Sequence, residues 1–466
     1  MSLLAPKAPR LLLGKHGFLH WRKAWLNSAE LSSHKHCIGL SGFGKSKFLA
    51  ALCRQLFAQG IPFCLIDPAN DLADDVLALL ADAGCFPHRQ PHPAIRYLDF
   101  SRRDRFLPFN VLHQPYPVDR IAEHIVELCL RVWPALAGGS APTFERLMRN
   151  TVKLLVHNGL PITQVGPVLN NRALRDMLLA RCPDPWVVRF FRESFEQWGR
   201  EEQRMKESTV NRGELLVSTA VLRYSCGQQA NALPFRALMD EQISLIVNLN
   251  GLDEQEQRWF GAFIAQGFEK GAYSRGAPGA PRTPYHLILD EFPMFTAQTE
   301  EALTGALSRT RKFGLFLTLA HQTFSQVSTR LLGALQNTTL FAFSLGARDA
   351  RAIAEDLVEF DPVATKEATV GGGEEERDIA AFVGVPETYQ RLKDQLKSLK
   401  PREVYLKTRQ RAQVFRTMDV PPTRTTPEDL QRIKDNYART LMRPAAAVVA
   451  EVDRPLFAAR TPPRLA

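Results

Sequence analysis

The sequence predicts an α/β protein built on a mostly parallel sheet, with an all-helical subdomain inserted into it. Three observations lead there. Short apolar runs bounded by turn residues recur along the chain, a glycine loop joins one run to a helix, and the middle carries only helical periodicity. Runs that are apolar throughout suit strands covered by helices on both faces.

The runs are His36–Gly39, Pro62–Asp67, Ile95–Asp99, Ser244–Asn248, His286–Asp290, Leu315–Ala320 and Thr338–Ser344. Lys45 to Gln59 has helical spacing and stops at Gly60, so strand, loop, helix and strand open a parallel unit. From about 115 to 235 the strand pattern lapses. Ile121, Ile125, Leu128 and Val132 recur at helical spacing, as do Phe144, Leu147, Met148, Thr151 and Leu154. Asp184-Pro185 reads as an N-cap with proline in the first turn. Gly371-Gly372-Gly373 before Glu374–Glu376 reads as a mobile loop, and Glu403–Thr408 with Gln413–Thr417 as a late hairpin. From Pro421 the chain turns Pro- and Arg-rich, with one helix near Pro427–Leu441 and a disordered end. The expected division is 1–114 and 236–420 as two parts of one sheet domain, 115–235 as the helical insertion, and 421–466 as a tail.

With 466 residues, 45% apolar and 23% charged, the chain can bury a large core. Its net charge of +10 favours acidic partners, nucleic acid first, although an Arg-rich composition without such a partner gives the same balance. Seven scattered cysteines without a CxxC pair argue against zinc and against a disulfide framework. Leu11–Leu13 is too short for a signal segment, and no run approaches the length of a membrane-spanning helix.

Gly39-Leu40-Ser41-Gly42-Phe43-Gly44-Lys45-Ser46 satisfies the G-x-x-x-x-G-K-[ST] pattern. Its glycines let successive amides point at phosphates, Lys45 suits the β- and γ-phosphate charge, and the Ser46 hydroxyl suits Mg²⁺. Candidate nucleotide contacts are Gly39, Ser41, Gly42, Phe43, Gly44, Lys45, Ser46 and Lys47, with ATP and Mg²⁺ as cofactors. Tyr285–Leu289 ends in Asp290 and Glu291, which suit Mg²⁺ coordination and polarisation of the attacking water. Gln322, after another strand, suits a hydrogen bond to the γ-phosphate or the water, or else a plain helix cap; His321 reads as a structural neighbour. In Ser308-Arg309-Thr310-Arg311-Lys312 an arginine, Arg311 before Arg309, suits charge stabilisation at a neighbouring subunit's nucleotide, or else a basic turn facing solvent or DNA. Asp67 and Asp71 remain alternatives for facing the nucleotide or holding the turn, and Asn110 reads as a turn residue.

In this order the segments resemble the FtsK–HerA superfamily of P-loop motors, and within it the type IV secretion and conjugation coupling proteins (TraD/TraG-like). The resemblance spans roughly 10–420. It rests on the P-loop, Leu65–Leu72, Phe109–Leu112, Leu289–Phe292, Arg311–Leu315 through His321-Gln322, and Asn337–Thr339 through Asp349-Ala350. It implies a RecA-like ATPase domain with a helical insertion, a homo-hexameric ring, and DNA or a DNA–protein complex moved by ATP hydrolysis. It also implies relaxosome or secretion-channel proteins as partners. By position it gives Lys45 and Ser46 the P-loop roles, Asp290 and Glu291 the Mg²⁺ and water roles, Gln322 the sensing role and Arg311 the trans-acting role. Two departures stand out. The chain lacks the N-terminal membrane helices usual in coupling proteins, which implies a cytoplasmic protein recruited peripherally to the inner membrane or serving another task. Asn70 stands where relatives often have glycine. The competing readings are a HerA-like helicase or translocase in repair or defence, and a nucleotide-switched subunit that recruits secreted proteins.

Overall fold

Parallel strands form one side of one mixed sheet, out to its edge strand β5, and the strand order is β2-β1-β14-β13-β10-β3-β9-β8-β4-β7-β5. In chain order the strands are β1 (Leu11–His16), β2 (Arg22–Leu26), β3 (Lys35–Ile38), β4 (Phe63–Asp67), β5 (Ile95–Asp99), β6 (Arg105–Phe106), β7 (Ser244–Asn248) and β8 (Tyr285–Leu289). They continue with β9 (Leu315–His321), β10 (Thr339–Ala342), β11 (Thr365–Val370), β12 (Arg377–Phe382), β13 (Glu403–Lys407), β14 (Ala412–Thr417) and β15 (Arg443–Pro444). The structure, a computed structural model, describes residues 9–17, 21–132, 141–215, 218–276, 282–296, 300–357, 365–370, 377–382 and 385–454. Neighbours from β10 to β5 pair in parallel, whereas β10-β13, β13-β14, β14-β1 and β1-β2 are antiparallel. Every strand expected from an apolar run is present, within a residue or two at its ends.

Alternation along the parallel strands splits their side chains between two core layers. Cys64, Ile66, Leu245, Val247, Leu287 and Leu289 enter one cluster with Trp259, Phe260 and Phe263 of the helix Glu254–Tyr273. Phe63, Leu65, Ile246 and Ile288 enter the other, with Phe48, Leu52 and Leu56 of the helix Lys45–Ala58. Both faces are therefore dry, which is why these strands read as continuous apolar runs.

Among the described residues between β6 and β7 every regular element is helical, from Val118–Val132 to Phe235–Asp240. Asp184 accepts from the amides of Trp186 (2.9 Å) and Val187 (3.4 Å), the expected N-cap. The helix Pro427–Leu441 stands where expected and joins the core. Ile433 and Tyr437 are buried, and the His92 amide donates to the Tyr437 hydroxyl at 3.0 Å. The glycine loop at 371–376 and the chain end at 455–466 lie outside the described residues. Among the described residues no helix is long and apolar enough to cross a membrane.

His34, His36, His286 and His321 are buried at β3, β8 and β9. Burial holds His34 and His321 down at about 4, and His36 and His286 well below the usual imidazole value. Each stays neutral in the folded chain and takes a proton on unfolding once the pH drops below about 6.5. Stability is therefore full above that pH and lost as pH falls from about 6.5 toward 4, by up to about 1.4 kcal/mol per pH unit for each histidine. Urea midpoints measured on either side of that window are expected to fall steeply toward acid; equal midpoints would refute the assignment.

Candidate functional site

The glycine loop leaves β3 and is fastened on both sides by the strands that flank it. The Gly39 amide donates to the His321 carbonyl (3.3 Å) at the end of β9, and the Leu40 amide to Ser344 (3.0 Å) beyond β10. A Cβ on Gly39 would lie 2.5 Å from Phe343 Cβ, so this close approach requires glycine. Gly44, at φ 97°, turns the chain into the helix Lys45–Ala58, whose first turn carries no acidic side chain. The amides of that turn thus face outward from the carboxyl edge of the sheet, where the dipole favours an anion.

Three neighbouring strands bring the chemistry together. Their order is β3-β9-β8, so the loop lysine, the glutamine and the acidic pair emerge side by side. Glu291 Oε1 lies 2.8 Å from Gln322 Nε2, which donates to it, and 3.5 Å from Lys45 Nζ. The Phe292 amide donates to the Ala320 carbonyl at 3.0 Å and fixes the acidic turn to β9. Glu291 has φ 45°, a left-handed conformation that costs a non-glycine residue about 1–3 kcal/mol and tends to cluster at functional sites.

Asp290 is buried, and burial pushes its carboxyl up to about 7 against the pull of Lys45, with Asp67 and Glu291 adding to the rise. Its oxygen accepts from the Glu291 amide at 3.1 Å. Ser46 follows Lys45 in the first helical turn and is half-buried. Lys47 turns away: its ammonium pairs with Asp75 at 2.7 Å, leaving only its backbone to the loop.

Asp67 is fully buried and accepts from the amides of Ala69 (2.9 Å) and Ala73 (2.8 Å), so it holds the turn after β4. Asp71 is exposed on the first turn of the helix Asp71–Asp82. Asn70 has φ 73°, a conformation that asparagine tolerates better than other side-chain-bearing residues, which accounts for its presence at a glycine-like position. Asn110 accepts from the Leu112 amide (3.0 Å) and donates to Gln229 (3.1 Å), a buried turn residue.

Arg311 lies at the other end of the sheet, in the turn before β9. The seven residues of β9 separate it from Gln322, roughly 20 Å of strand. It borders a cleft of about 280 Å³ with His34, Ser308 and Arg409. Arg309 Nε donates to Gly305 in its own helix at 3.3 Å. Arg311 is exposed, and its side chain has no hydrogen bond or salt bridge among the described residues.

Two contacts escape sequence reasoning. His36 on β3 and His321 on β9 stack at 5.0 Å, with their Nε2 atoms 2.7 Å apart. His321 Nδ1 lies 2.9 Å from the Thr323 carbonyl. A proton on that Nδ1 makes His321 Nε2 the acceptor, and the pair fixes the residue preceding Gln322. Arg402, at φ 74°, donates its amide to the Phe43 carbonyl at 3.0 Å, within the loop itself.

No family model and no curated protein matches the chain. Solved structures do. The bacterial conjugative coupling protein TrwBΔN70, in its unbound monoclinic form, is similar at TM-score 0.62 and 13% identity, over 86% of this chain and 89% of that one. TrwB in complex with ADP and Mg²⁺ is similar at TM-score 0.59 and 15% identity, over 85% and 87%. VirB4 of Thermoanaerobacter pseudethanolicus is similar at TM-score 0.50 and 14% identity, over 90% and 99%. At such identities the likeness is one of fold: this chain has the α/β architecture of these proteins over most of its length.

The closeness of Gly39 to Phe343 is open to a direct check. Gly39→Ala is expected to destabilise by about 1–3 kcal/mol through overpacking, seen as a lower urea midpoint, and an unchanged midpoint would contradict the fastening of the loop.

Proposed function

We propose that this chain is an ATP-hydrolysing motor of the coupling-protein kind, which moves DNA or a DNA–protein complex from within a homo-hexameric ring. The observation that carries the reading is the Glu291 carboxylate held between the Lys45 ammonium and the Gln322 amide, beside the buried Asp290. The residues fit ATP and Mg²⁺. Asp290 is a carboxyl whose ionisation burial opposes, a penalty that a hard cation relieves. Among the described residues no group of three or more ligating side chains exists, and Mg²⁺ in such sites draws most of its ligands from phosphate and water.

Bound ATP·Mg²⁺ supplies the transferable phosphoryl group and the divalent charge. Lys45 would hold the β- and γ-phosphates in place of its long contact with Glu291, and Ser46 and Asp290 would hold the metal. Glu291, freed of the ammonium, would orient the attacking water, and Gln322, which donates to that carboxylate, would link it to the phosphate. The fold of TrwB, whose structures include one with ADP and Mg²⁺, supports the nucleotide assignment. The fold likeness and the net charge of +10 support DNA as the load. Arg311 is too far from its own loop to act there, which supports a role at a neighbour's nucleotide.

ATP hydrolysis is expected to rise with single- or double-stranded DNA and to fall at least about 100-fold in Lys45→Ala and in Glu291→Gln. Activity indifferent to DNA throughout a salt series would count against the motor, because contacts to phosphate weaken as salt rises.

Mixing Lys45→Ala with Arg311→Ala subunits is expected to restore part of the activity, since some interfaces then join an intact loop to an intact arginine. Failure to complement, with both variants assembled at the mass of the ATP-bound ring, would remove Arg311 from the mechanism.

A further inference from the structure

The antiparallel end of the sheet carries a row of cations that folding does not explain. Lys15 on β1 pairs directly with Lys23 on β2 and with Arg416 on β14. Directly paired residues share a face, and like charges set opposite one another are destabilising. All three are exposed, and among the described residues none of their side chains makes a hydrogen bond or salt bridge. The next residue in the row, Glu403 on β13, opposite Arg416, accepts from the Lys400 amide at 2.9 Å.

The reverse face of the same strands is apolar and closed. Leu11, Leu13, Ala24 and Leu26 are buried with the helix Lys45–Ala58. Trp25 shares the basic face, with the Arg10 guanidinium 4.3 Å from its ring centroid and the Lys23 ammonium at 6.0 Å. Trp21, with Arg22 at 5.1 Å, is 67% exposed at the rim. Glu30 is the first acidic residue of the chain.

We propose that this face of β2, β1 and β14 binds the phosphate backbone of nucleic acid, as a docking surface separate from the P-loop. The proposal rests on the reading of the chain as a DNA motor and gives that load a second point of contact. Strands about 4.8 Å apart make the row roughly 10 Å long, which meets about three phosphates of one duplex strand at 3.4 Å of axis each. An anionic membrane is the weaker match. Its surface rewards inserted apolar side chains, and here the aliphatic residues point inward while a guanidinium covers Trp25.

The test is the binding of a fluorescein-labelled duplex, read by anisotropy without nucleotide from about 50 to 200 mM salt. For the Lys15→Ala/Lys23→Ala/Arg416→Ala variant, the plot of log affinity against log salt is expected to be shallower by about 2–3, from roughly 0.9 per lost contact. Affinity at the lowest salt is expected to drop about tenfold or more. Lys15→Arg/Lys23→Arg is expected to keep the wild-type slope. A triple variant with wild-type slope and affinity would overturn the proposal. So would unchanged duplex binding combined with lost binding to phosphatidylglycerol vesicles, which would give the face to a membrane. Because nucleotide is absent, a DNA-indifferent ATPase would sink the motor reading while this titration still decided the surface.

Discussion

The parallel insertion of β9 between β3 and β8 is the constraint on which the candidate site depends. Lys45 follows β3, Gln322 follows β9 and Glu291 follows β8, so a common end for the three strands is enough to bring them within hydrogen-bonding range. The pairing Ile38↔His321 and Leu289↔Leu319 sets how far each chain end projects. A slip of one residue would turn Leu317 and Leu319 out of their core layer. Burial on both faces therefore fixes the site's geometry before any polar contact forms.

That rigid frame carries groups that are costly to hold there. Asp290 is buried with its carboxyl raised to about 7, Lys45 is buried beside it, and Glu291 sits at φ 45°. None of these adds stability. They are held by their surroundings: the Asp290 amide bonds Ile66, the Phe292 amide bonds Ala320, and the His36–His321 pair steadies the end of β9. Local strain and closely set buried charge within an over-determined backbone fit a candidate ligand site better than a role in folding.

The sequence displayed the parallel core because each of its strands is covered on both sides, leaving unbroken apolar runs such as Leu315–Ala320. It displayed the loop and the acidic pair because their chemistry requires fixed neighbours. β1 and β2 did not show, since each has one wet face and Gly14, Lys15, Arg22 and Lys23 interrupt the pattern. The choice between Asp67 and Asp71 was invisible because it depends on which amides the fold aims at a carboxylate. His36 reads as one more residue of a buried strand until its partner on β9 is seen. Arg402 lies in a Lys-Pro-Arg turn, and nothing local indicates that its amide reaches Phe43.

That last contact ties the glycine loop to the antiparallel half of the sheet. Phe43 accepts from the Arg402 amide at 3.0 Å, the Arg402 carbonyl accepts from the Thr417 amide at 2.8 Å, and Arg402 Nη2 donates to the Thr417 carbonyl at 3.1 Å. Thr417 is the neighbour of Arg416 on β14 and pairs with Gly14, the neighbour of Lys15. Arg402 holds this position at φ 74°, a conformation that costs about 1–3 kcal/mol and persists only where bonds on both sides enforce it. A short hydrogen-bonded path therefore runs from the glycine loop to the basic face. β1, which the sequence concealed, is thereby tied to the loop that it displayed most plainly, through Arg402 and Thr417.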